Sequence, residues 1–509
     1  MAIEPGYDRF KTLYEAGRSQ VLWRRAPADL DTPVSLLLKL AQAGPESFLL
    51  ESVTGAEARG RYSIIGWKPD LIWRCRGARA EINRAASYDA QAFEPCQEDP
   101  LTSLRALIAE SAAELPPQLP ASAAGLYGYF GYDMIRLVER LPEPNSDPLG
   151  LPDAIMLRPS VVAVVDNAFD TVTLVAPARP TPGVSAREAY GRAAERLADA
   201  FGDLDRPIPG ARDWTAAAAP GAGERLSPKS NTSKARYKKM VAAAKEYIAA
   251  GDIFQVVPSQ RWRAPYPAPP LALYRALRRT NPSPYMFYFN FSCGGAPFQV
   301  TGASPEILVR VATDKSGEAP VRRVSIRPIA GTRPRGADAA EDAALEADLL
   351  ADPKELAEHL MLLDLGRNDV GRVAEIDSVD PNLQFVVERY SHVMHIVSNV
   401  EGVLRPEHDA LSALLAGLPA GTVSGAPKIR AMEIIDELEA EKRGVYAGGV
   451  GYFSANGDMD TCIALRTAVV KDGQVYAQAG GGVVADSDAE AEFQETVNKA
   501  KAVIRAAEA

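Results

Sequence analysis

The sequence predicts an α+β fold, and three observations support this prediction. At 509 residues the chain exceeds one ordinary hydrophobic core, so two large domains are expected. In "GVGYFSANGDMDTCIALRTAVVKDGQVYAQAGGG", Asn-Gly and Asp-Gly turns separate strand-like runs, which favours an antiparallel meander. Strands and helices do not alternate as βαβ units, and the sequence has neither a Walker motif nor a GxGxxG fingerprint.

Composition and charge argue against several classes of protein. Hydrophobic residues make up 47% of the chain and charged residues 24%, as in soluble globular proteins. The net charge of −10 argues against broad binding of nucleic acid or anionic membranes, although a local basic pocket is compatible with it. The sequence shows neither a signal peptide nor an apolar run of about 18 residues, so we expect a cytoplasmic protein. The 4 cysteines lack CxxC spacing and indicate neither a disulfide framework nor a zinc site.

The first part of the chain mixes strand and helix patterns. "FLLESV", "RYSIIGW" and "LIWRCRG" have strand character, "DPLTSLRALIAESAAEL" reads as a helix, and the glycines among aromatic residues in "GLYGYFGYDMIRLVERLP" predict closely packed backbone. The Pro/Gly/Ala-rich stretch 201–228 has no periodicity and predicts a boundary between domains at 1–228 and 229–509. Beyond it, Ser233 caps a predicted helix that Gly251 ends.

The stretch "ADPKELAEHLMLLDLGRND" predicts a helix with a clear start. Asp352 is the expected cap and Pro353 the first helical residue, and the helix should stop near Gly366. Its expected apolar stripe is Leu356, Leu360 and Leu363. Glu358 and His359 lie beside that stripe, where an acid is more often solvated than a metal ligand.

Carboxylates crowd the start of the last predicted helix, "AEAEFQETVNKAKA". Glu492, Glu495 and Lys499 follow one another by three and four residues, so they form a stripe beside the apolar one. An exposed helix start explains this pattern, with a Glu495–Lys499 pair worth roughly 0.3 kcal/mol. A divalent cation shared with a carboxylate from another helix explains it as well, because magnesium typically takes one or two protein carboxylates.

Other residues in the second half also have two interpretations. His395, on the predicted strand "RYSHVMHIVS", is either a core histidine or a catalytic base, and His392 should face the opposite side of that strand. The loop in "GLPAGTVSGAPK" should expose Thr422 and Ser424, as an anion site or as a plain turn. Arg466, on the predicted strand "TCIALRTAVV", shares a face with small side chains that leave room for a ligand.

Eight ordered motifs across residues 233–505 resemble the chorismate-utilising enzymes: "GASPEILV", "PIAGTRPRG", "AEHLMLLDLGRNDVGRV", "YSHVMHIVS", "PAGTVSGAPK", "GVYAGGVGYF", "IALRT" and "AGGGVVADSDAEAEFQETVNKA". With "LLES" and "RYSIIG" the resemblance covers nearly the whole chain and matches the anthranilate synthase large subunits, component I. It implies two intimately packed domains that form a sandwich of antiparallel sheets with helices on the outer faces. It also implies conversion of chorismate and ammonia to anthranilate and pyruvate, the first step of tryptophan biosynthesis.

The same resemblance implies roles for individual residues. Glu358 and Glu495 correspond to the ligands of Mg²⁺, with Glu492 in the adjoining shell. Glu306 corresponds to a general acid that protonates the departing ring hydroxyl, and His395 to the residue needed for pyruvate loss and removal of the C2 proton. The implied contacts to chorismate and its surroundings are Gln255, Thr422, Tyr446, Arg466, Gly481, Gly482 and Lys499.

Two positions distinguish this chain from related branches. Ala330 stands where enzymes forming 4-amino-4-deoxychorismate carry a nucleophilic lysine, and Gln255 stands where isochorismate and salicylate synthases carry a lysine that activates water. Ammonia is therefore the expected nucleophile. Because the sequence has no recognisable Cys-His-Glu amidotransferase domain, we expect a separate glutamine amidotransferase subunit, component II, in a heterodimer or a heterotetramer.

A regulatory site is implied by "LLES" and "NPSPYMFY". The resemblance implies a tryptophan pocket remote from chorismate, formed by Glu51, Ser52, Pro284, Tyr285 and Met286. Glu51 should pair with the ammonium group, and Tyr285 and Met286 should wall the indole, so tryptophan should act as a feedback inhibitor. An ordinary strand end followed by an ordinary turn would use the same residues.

Other functions are compatible with the same motifs. A 2-amino-2-deoxyisochorismate synthase would stop after amination, and His395 weighs against it. Ala330 weighs against a 4-amino-4-deoxychorismate synthase component. A tryptophan-binding regulator on an inactive scaffold would need neither Glu306 nor the acidic residues Glu358 and Glu495.

Overall fold

The structure is a computed structural model that describes residues 2–52, 60–208, 225–292, 294–317, 319–390 and 393–508. Most of the predicted linker and His392 therefore lie outside the described residues.

Within that part of the chain, the helices are α1 (Tyr7–Glu15), α2 (Pro33–Leu36), α3 (Pro100–Glu110), α4 (Ala186–Asp203), α5 (Lys234–Ala249), α6 (Pro270–Thr280), α7 (Ala339–Ala351), α8 (Pro353–Gly371), α9 (Ala410–Gly417), α10 (Lys428–Leu438) and α11 (Ala489–Glu508). Among these described helices, none combines the length and the apolar character needed to cross a membrane.

The strands are β1 (Gln20–Pro27), β2 (Ser47–Glu51), β3 (Tyr62–Arg76), β4 (Arg79–Asn83), β5 (Glu94–Pro95), β6 (Gly125–Phe130), β7 (Ala154–Asp166), β8 (Thr171–Ala178), β9 (Lys229–Ser230), β10 (Gln255–Val256), β11 (Ser259–Pro265), β12 (Tyr285–Phe291), β13 (Phe298–Ser304), β14 (Ile307–Asp314), β15 (Val321–Ile326), β16 (Ile329–Pro334), β17 (Asp380–Arg389), β18 (Val393–Val403), β19 (Gly425–Ala426), β20 (Gly449–Ser454), β21 (Met459–Ile463), β22 (Thr467–Lys471) and β23 (Gln474–Gly480).

Antiparallel ladders join the strands into two branches that separate at the long β3–β7 pair. The first half of β3 continues through β2, β12, β13, β22, β23 and β11, and β7 adds β8 and β1 on the other side. The second half of β3 pairs with β4. The part of β7 beside it pairs with β6, and the branch continues from β6 through β20, β21, β14, β15 and β18. Segments 1–228 and 229–509 therefore contribute strands to both branches.

The two branches form a sandwich. One hydrophobic cluster lies between them, where the rings of Phe48 in β2 and Tyr127 in β6 stack at 4.6 Å. A second cluster joins the outer face of one branch to α1, α4, α6 and α11, and a third joins the other outer face to α3, α5, α8, α9 and α10. The predicted α+β sandwich with helices on its outer faces is confirmed.

Several predicted elements differ from the observed ones. The helix at Asp352 has the expected cap but continues through Gly366 to Gly371 as α8. Gly366 does not end the helix because it packs near Ile326 and Val400 of the sheet. Its predicted apolar stripe is wrong at Leu360, which is 56% exposed, while His359 is fully buried. The helix of "DPLTSLRALIAESAAEL" ends at Glu110.

Two strand predictions also need correction. "RYSIIGW" and "LIWRCRG" form the single strand β3, whose register shifts between Pro69 and Leu71. "TCIALRTAVV" is not one strand, because β21 ends at Ile463 and β22 begins at Thr467, with Arg466 between them at a left-handed φ of 48°. The break carries the chain from one branch to the other, so the predicted meander is two separate hairpins.

Candidate active site

Nearly all residues predicted for chemistry line one cavity of about 440 Å³. They are Gln255, Glu306, Glu358, His395, Thr422, Tyr446, Arg466, Gly482, Glu492, Glu495 and Lys499. Helix α8 supplies Glu358, helix α11 supplies Glu492 and Glu495, and strand β18 supplies His395. Gly481 is not among the lining residues, but a Cβ there would lie 3.0 Å from Glu492 Oε2, so glycine lets the backbone approach that carboxylate.

Glu306 is a buried acid at the start of β14. Burial raises its pKa to about 8, although the Thr422 hydroxyl donates a hydrogen bond to Oε1 at 3.2 Å and the Ile329 N–H favours the ionised form. Near neutral pH the side chain therefore carries a proton. A protonated carboxyl group that faces a ligand cavity is suited to act as a general acid.

His395 is held by contacts to one of its ring nitrogens. Nδ1 lies 2.9 Å from the Gly331 carbonyl oxygen and 3.1 Å from Thr332 Oγ1, and the ring packs edge-on against Tyr390. Donation from Nδ1–H to the carbonyl leaves the lone pair on Nε2. Because burial lowers the pKa of His395, the neutral imidazole is favoured and can accept a proton.

An acidic cluster lies where α8 meets α11. Burial raises the pKa of Glu358, and the neighbouring Glu355 and Glu495 raise it further. Glu492 accepts a hydrogen bond from Ser487 Oγ at 2.7 Å through Oε1, whereas its buried Oε2 has no partner in the described part of the chain. Within the described residues no group of three or more His, Cys, Asp or Glu side chains is arranged to hold a metal ion.

Cationic and polar groups line the same cavity as this acidic cluster. Burial lowers the pKa of Arg466, and in the part of the chain that the structure describes no carboxylate oxygen lies within 4.0 Å of its guanidinium. Lys499 pairs with Glu495 at 2.6 Å and donates to the Gly480 carbonyl at 3.2 Å. Tyr446 is buried beside Gly480. A buried guanidinium without a counterion is suited to hold a ligand carboxylate.

All five residues predicted for regulation line a second cavity of about 510 Å³. Ser52 Oγ is buried there, and none of the residues that the structure describes bonds to it. The Glu51 carboxylate is already engaged, because Arg278 Nε donates to it at 2.6 Å and Tyr274 also donates to it. The two cavities are neighbours, since Pro305 and Ile329 line both, and the tryptophan pocket stays a prediction.

Sequence reasoning missed some residues of the first cavity, and it misjudged the exposure of Ser424, which does not line that cavity. Thr332, Lys354 and Glu355 line it as well. Glu355 precedes Glu358 by three residues on α8, so helical spacing from a suspected ligand would have found it. Ser424 was expected to be exposed, but it is fully buried and donates to the Ala420 carbonyl at 2.8 Å.

The chain matches a known protein family over most of its length. Residues 49–505 match the family described as chorismate binding enzyme. Anthranilate synthase component 1 of Cereibacter sphaeroides is 64% identical over 99% of this chain and 97% of its own length. The Pseudomonas aeruginosa protein of that name is 50% identical over 94% and 93%.

Solved structures show the same similarity. Anthranilate synthase component I from Streptococcus pneumoniae has a TM-score of 0.74 and 38% identity, covering 89% of this chain and 94% of that chain. The menaquinone-specific isochorismate synthase of Escherichia coli has a TM-score of 0.69 at 20% identity, covering 98% and 99%, and shows the shared fold alone.

Proposed function

The chain belongs to the family of chorismate-binding enzymes, and we propose that it converts chorismate and ammonia to anthranilate and pyruvate, the first step of tryptophan biosynthesis. One observation carries this proposal. A protonated Glu306, a neutral His395, an unpaired Arg466 and an acidic cluster face a single cavity. An acid, a base and a cationic anchor are what the two steps of this reaction need.

The acidic cluster fits a bound Mg²⁺. The neighbouring acids raise the pKa of Glu358, and Oε2 of Glu492 has no partner among the described residues, so a cation would be favoured between these side chains. Lys499 already pairs with Glu495 and would have to share that carboxylate with the ion. In our proposal Glu358 and Glu495 hold the ion, Glu492 orients its surroundings, and the remaining ligands are water and substrate oxygens. When bound, Mg²⁺ supplies the positive charge that anchors the ring carboxylate of chorismate.

Different residues of the chain would then act in the two steps of the reaction. Arg466, Tyr446 and Lys499 hold the enolpyruvyl carboxylate, assisted by backbone amides around Gly482, which lines the same cavity. In the first step Glu306 gives its proton to the departing ring hydroxyl as ammonia adds at C2. In the second, Nε2 of His395 takes the C2 proton as pyruvate leaves.

Two side chains of the cavity favour ammonia over other nucleophiles. Ala330 has no nucleophilic group, and the Gln255 amide cannot act as a general base to activate water. Ammonia needs no such activation, but it is scarce near neutral pH. The names of the component 1 relatives imply a second component, and we propose that a glutamine amidotransferase subunit supplies ammonia to this chain.

We also propose that the second cavity binds tryptophan as an inhibitor. It presents the unpartnered Ser52 hydroxyl beside the apolar walls of Pro284, Tyr285 and Met286. Two carboxylates line this cavity, and both already have partners: Arg278 pairs with Glu51, and Tyr285 and Arg310 contact Asp460. In our proposal the ammonium group of tryptophan shares the Glu51 carboxylate with Arg278. Tyr390 lines the same cavity and packs against His395, which gives the ligand a contact route to the active site.

The decisive experiment is incubation of the isolated chain with chorismate, Mg²⁺ and either ammonium or glutamine. We expect anthranilate fluorescence and pyruvate to appear together with ammonium and neither product to form with glutamine. Amination without pyruvate would identify a 2-amino-2-deoxyisochorismate synthase instead. Turnover of glutamine by the isolated chain would refute the need for a partner.

A further inference from the structure

Arg443 lies outside the active-site cavity, in the connection between α10 and Tyr446, and is only 3% exposed. Its Nη1 donates a hydrogen bond to the Val423 carbonyl at 2.7 Å, and its Nη2 donates to the Val257 carbonyl at 2.6 Å. Val257 and Val423 line the cavity, whereas Arg443 does not. One guanidinium therefore joins two segments of the cavity wall without reaching the cavity itself.

These two segments form a short ladder. Strand β10 (Gln255–Val256) pairs with β19 (Gly425–Ala426) over two residues. Val257 follows β10 and Val423 precedes β19, so Arg443 donates to carbonyls at one end of the ladder. Because so short a pair of strands is weak by itself, we expect its geometry to depend on the planar fork of the guanidinium.

A buried carboxylate orients Arg443. Glu439 Oε1 accepts a hydrogen bond from Nη2 at 2.6 Å, and Oε2 accepts one from Nε at 3.0 Å. The N–H of Ser259 donates to Glu439 Oε1 at 2.7 Å, and the Ser259 hydroxyl donates to it at 2.9 Å. Because Glu439 compensates its charge, Arg443 is suited to position the wall and not to bind a ligand anion.

Two groups of the proposed chemistry belong to this part of the wall, so the inference rests on the proposed function. Thr422 precedes Val423 and donates to Glu306 Oε1 at 3.2 Å. The ring of Tyr446, which lines the cavity, packs against the Arg443 guanidinium at 5.6 Å. We propose that Arg443 is a positioning residue for this wall. It aims the Thr422 hydroxyl at Glu306, and it holds the Tyr446 ring where the substrate carboxylate binds.

The position of the Thr422 hydroxyl affects the protonation of the acid. Burial raises the pKa of Glu306, and the hydrogen bonds from Thr422 and the Ile329 N–H act in the opposite direction. Loss of the Thr422 bond would raise the pKa of Glu306 further, so the acid would keep its proton to higher pH. The titratable side chains near Glu306 on neighbouring segments are Tyr390, His395 and Arg466.

Arg443→Lys tests this role against a matched control. The lysine keeps a positive charge beside Glu439, but an ammonium group is a single point and cannot span two carbonyls as the fork does. Arg158→Lys is the control, because Arg158 is 8% exposed, pairs with Asp70 at 2.7 Å and with Glu110 at 2.8 Å, and lines neither ligand cavity. Each substitution removes a buried fork, so both should lower Tm.

We expect Arg443→Lys to raise KM for chorismate about tenfold, because Tyr446 loses its support. The alkaline limb of the amination profile should move up by about 0.7 pH units, the shift that one net hydrogen bond gives. Arg158→Lys should keep the wild-type KM and pH profile. If Arg443→Lys lowered Tm or kcat alone, with KM and the alkaline limb unmoved, Arg443 would support only the fold and the inference would be overturned.

Infrared titration of the resting chain gives a readout independent of turnover. The band of the protonated Glu306 carboxyl, identified by its loss in Glu306→Gln, should disappear with a pKa of about 8 in wild type and at higher pH in Arg443→Lys. An unmoved midpoint would overturn the inference even if the chain consumes chorismate. A moved midpoint in a chain that does not consume chorismate would support the positioning role and refute the proposed function.

A second variant serves if Arg443→Lys does not fold. Glu439→Asp keeps the negative charge but draws the carboxylate away from the guanidinium or from Ser259. It should move KM and the infrared midpoint in the same directions as Arg443→Lys, by smaller amounts. A folded Glu439→Asp variant with the wild-type midpoint and KM would overturn the inference.

Discussion

At the scale of single residues, Glu306 and His395 show how burial at one cavity favours the neutral form of both an acid and a base. Burial favours the neutral form of each group, so it raises the pKa of the carboxyl and lowers that of the imidazole. The acid therefore keeps its proton and the base keeps its lone pair near neutral pH. The same desolvation thus gives the two groups opposite roles.

The raised pKa of Glu306 predicts how Glu306→Gln changes stability with pH. The pKa of Glu306 is about 8 in the folded chain against an ordinary 4.5, so its contribution is complete below 4.5 and is lost as pH rises through 8. The amide cannot ionise. Urea unfolding should show the variant gaining stability relative to wild type across that window, by up to about 5 kcal/mol. If the difference in the free energy of unfolding between variant and wild type stayed constant from pH 4.5 to 8, Glu306 would be ionised across that range in the folded chain.

The acidic cluster predicts a different result for two glutamates on α11. Glu495→Gln should lower turnover about 100-fold or more and abolish calorimetric binding of Mg²⁺ in the presence of chorismate, because an amide is a poor ligand for this ion. Glu490 pairs with Lys234 at 2.5 Å outside the cavity, so Glu490→Gln is the matched control and should behave as wild type. Unaltered Mg²⁺ binding by Glu495→Gln would move the metal site elsewhere.

Most site residues could be predicted because each lies in a motif that resembles a known family. Glu355 and Lys354 were missed because a charged residue on a helix is usually solvated, although the three-residue spacing from Glu358 places Glu355 on the same face of α8. The engagement of Glu51 by Arg278 could not be predicted either, since 227 residues separate the two. Contacts between residues this distant depend on tertiary packing.

At the scale of elements, α8 matters because it brings Glu355 and Glu358 to the cavity. Its cap Asp352 accepts hydrogen bonds from the N–H groups of Lys354 at 3.0 Å and Glu355 at 3.3 Å, and it pairs with Arg333 at 2.8 Å. Helix α7, which precedes it, has an equivalent cap but contributes no residue to the cavity.

The two caps therefore predict separable effects. Asp352→Ala and Asp338→Ala should each lower the free energy of unfolding by about 1 kcal/mol, because each leaves two helix N–H groups unsatisfied. Only Asp352→Ala should also weaken Mg²⁺ binding and turnover, by a few-fold, since α8 carries Glu358, one of the two proposed Mg²⁺ ligands. Thermal unfolding beside calorimetry tests this, and equal effects on Mg²⁺ binding would contradict it.

Caps and turns were the most predictable elements, because they depend on local hydrogen bonds. Ser233 and Asp352 begin their helices as predicted, and the Asn-Gly and Asp-Gly turns close hairpins. The end of α8 and the break at Arg466 were not predicted. Both depend on the sheet: Gly366 continues the helix where it packs on β15 and β18, and Arg466 lies where the chain changes branch.

At the scale of the whole molecule, the strands from both ends of the chain form both branches of the sandwich. Strand β2 pairs with β12, and this pair carries Ser52 and Tyr285 to the second cavity. The active-site cavity lies on the other side of Pro305 and Ile329, which line both. Two ligand sites that share a wall cannot change shape independently when the packing is close.

This arrangement predicts that tryptophan and chorismate weaken each other's binding by the same factor. Ser52→Phe should fill the second cavity and abolish inhibition while uninhibited turnover stays near wild type, because Ser52 does not line the active-site cavity. Ser52→Ala removes only the unpartnered hydroxyl and should weaken tryptophan binding modestly. Calorimetric titration with tryptophan, with and without chorismate, measures both effects. A Ser52→Phe variant that still binds tryptophan and responds like wild type would place the regulatory site elsewhere.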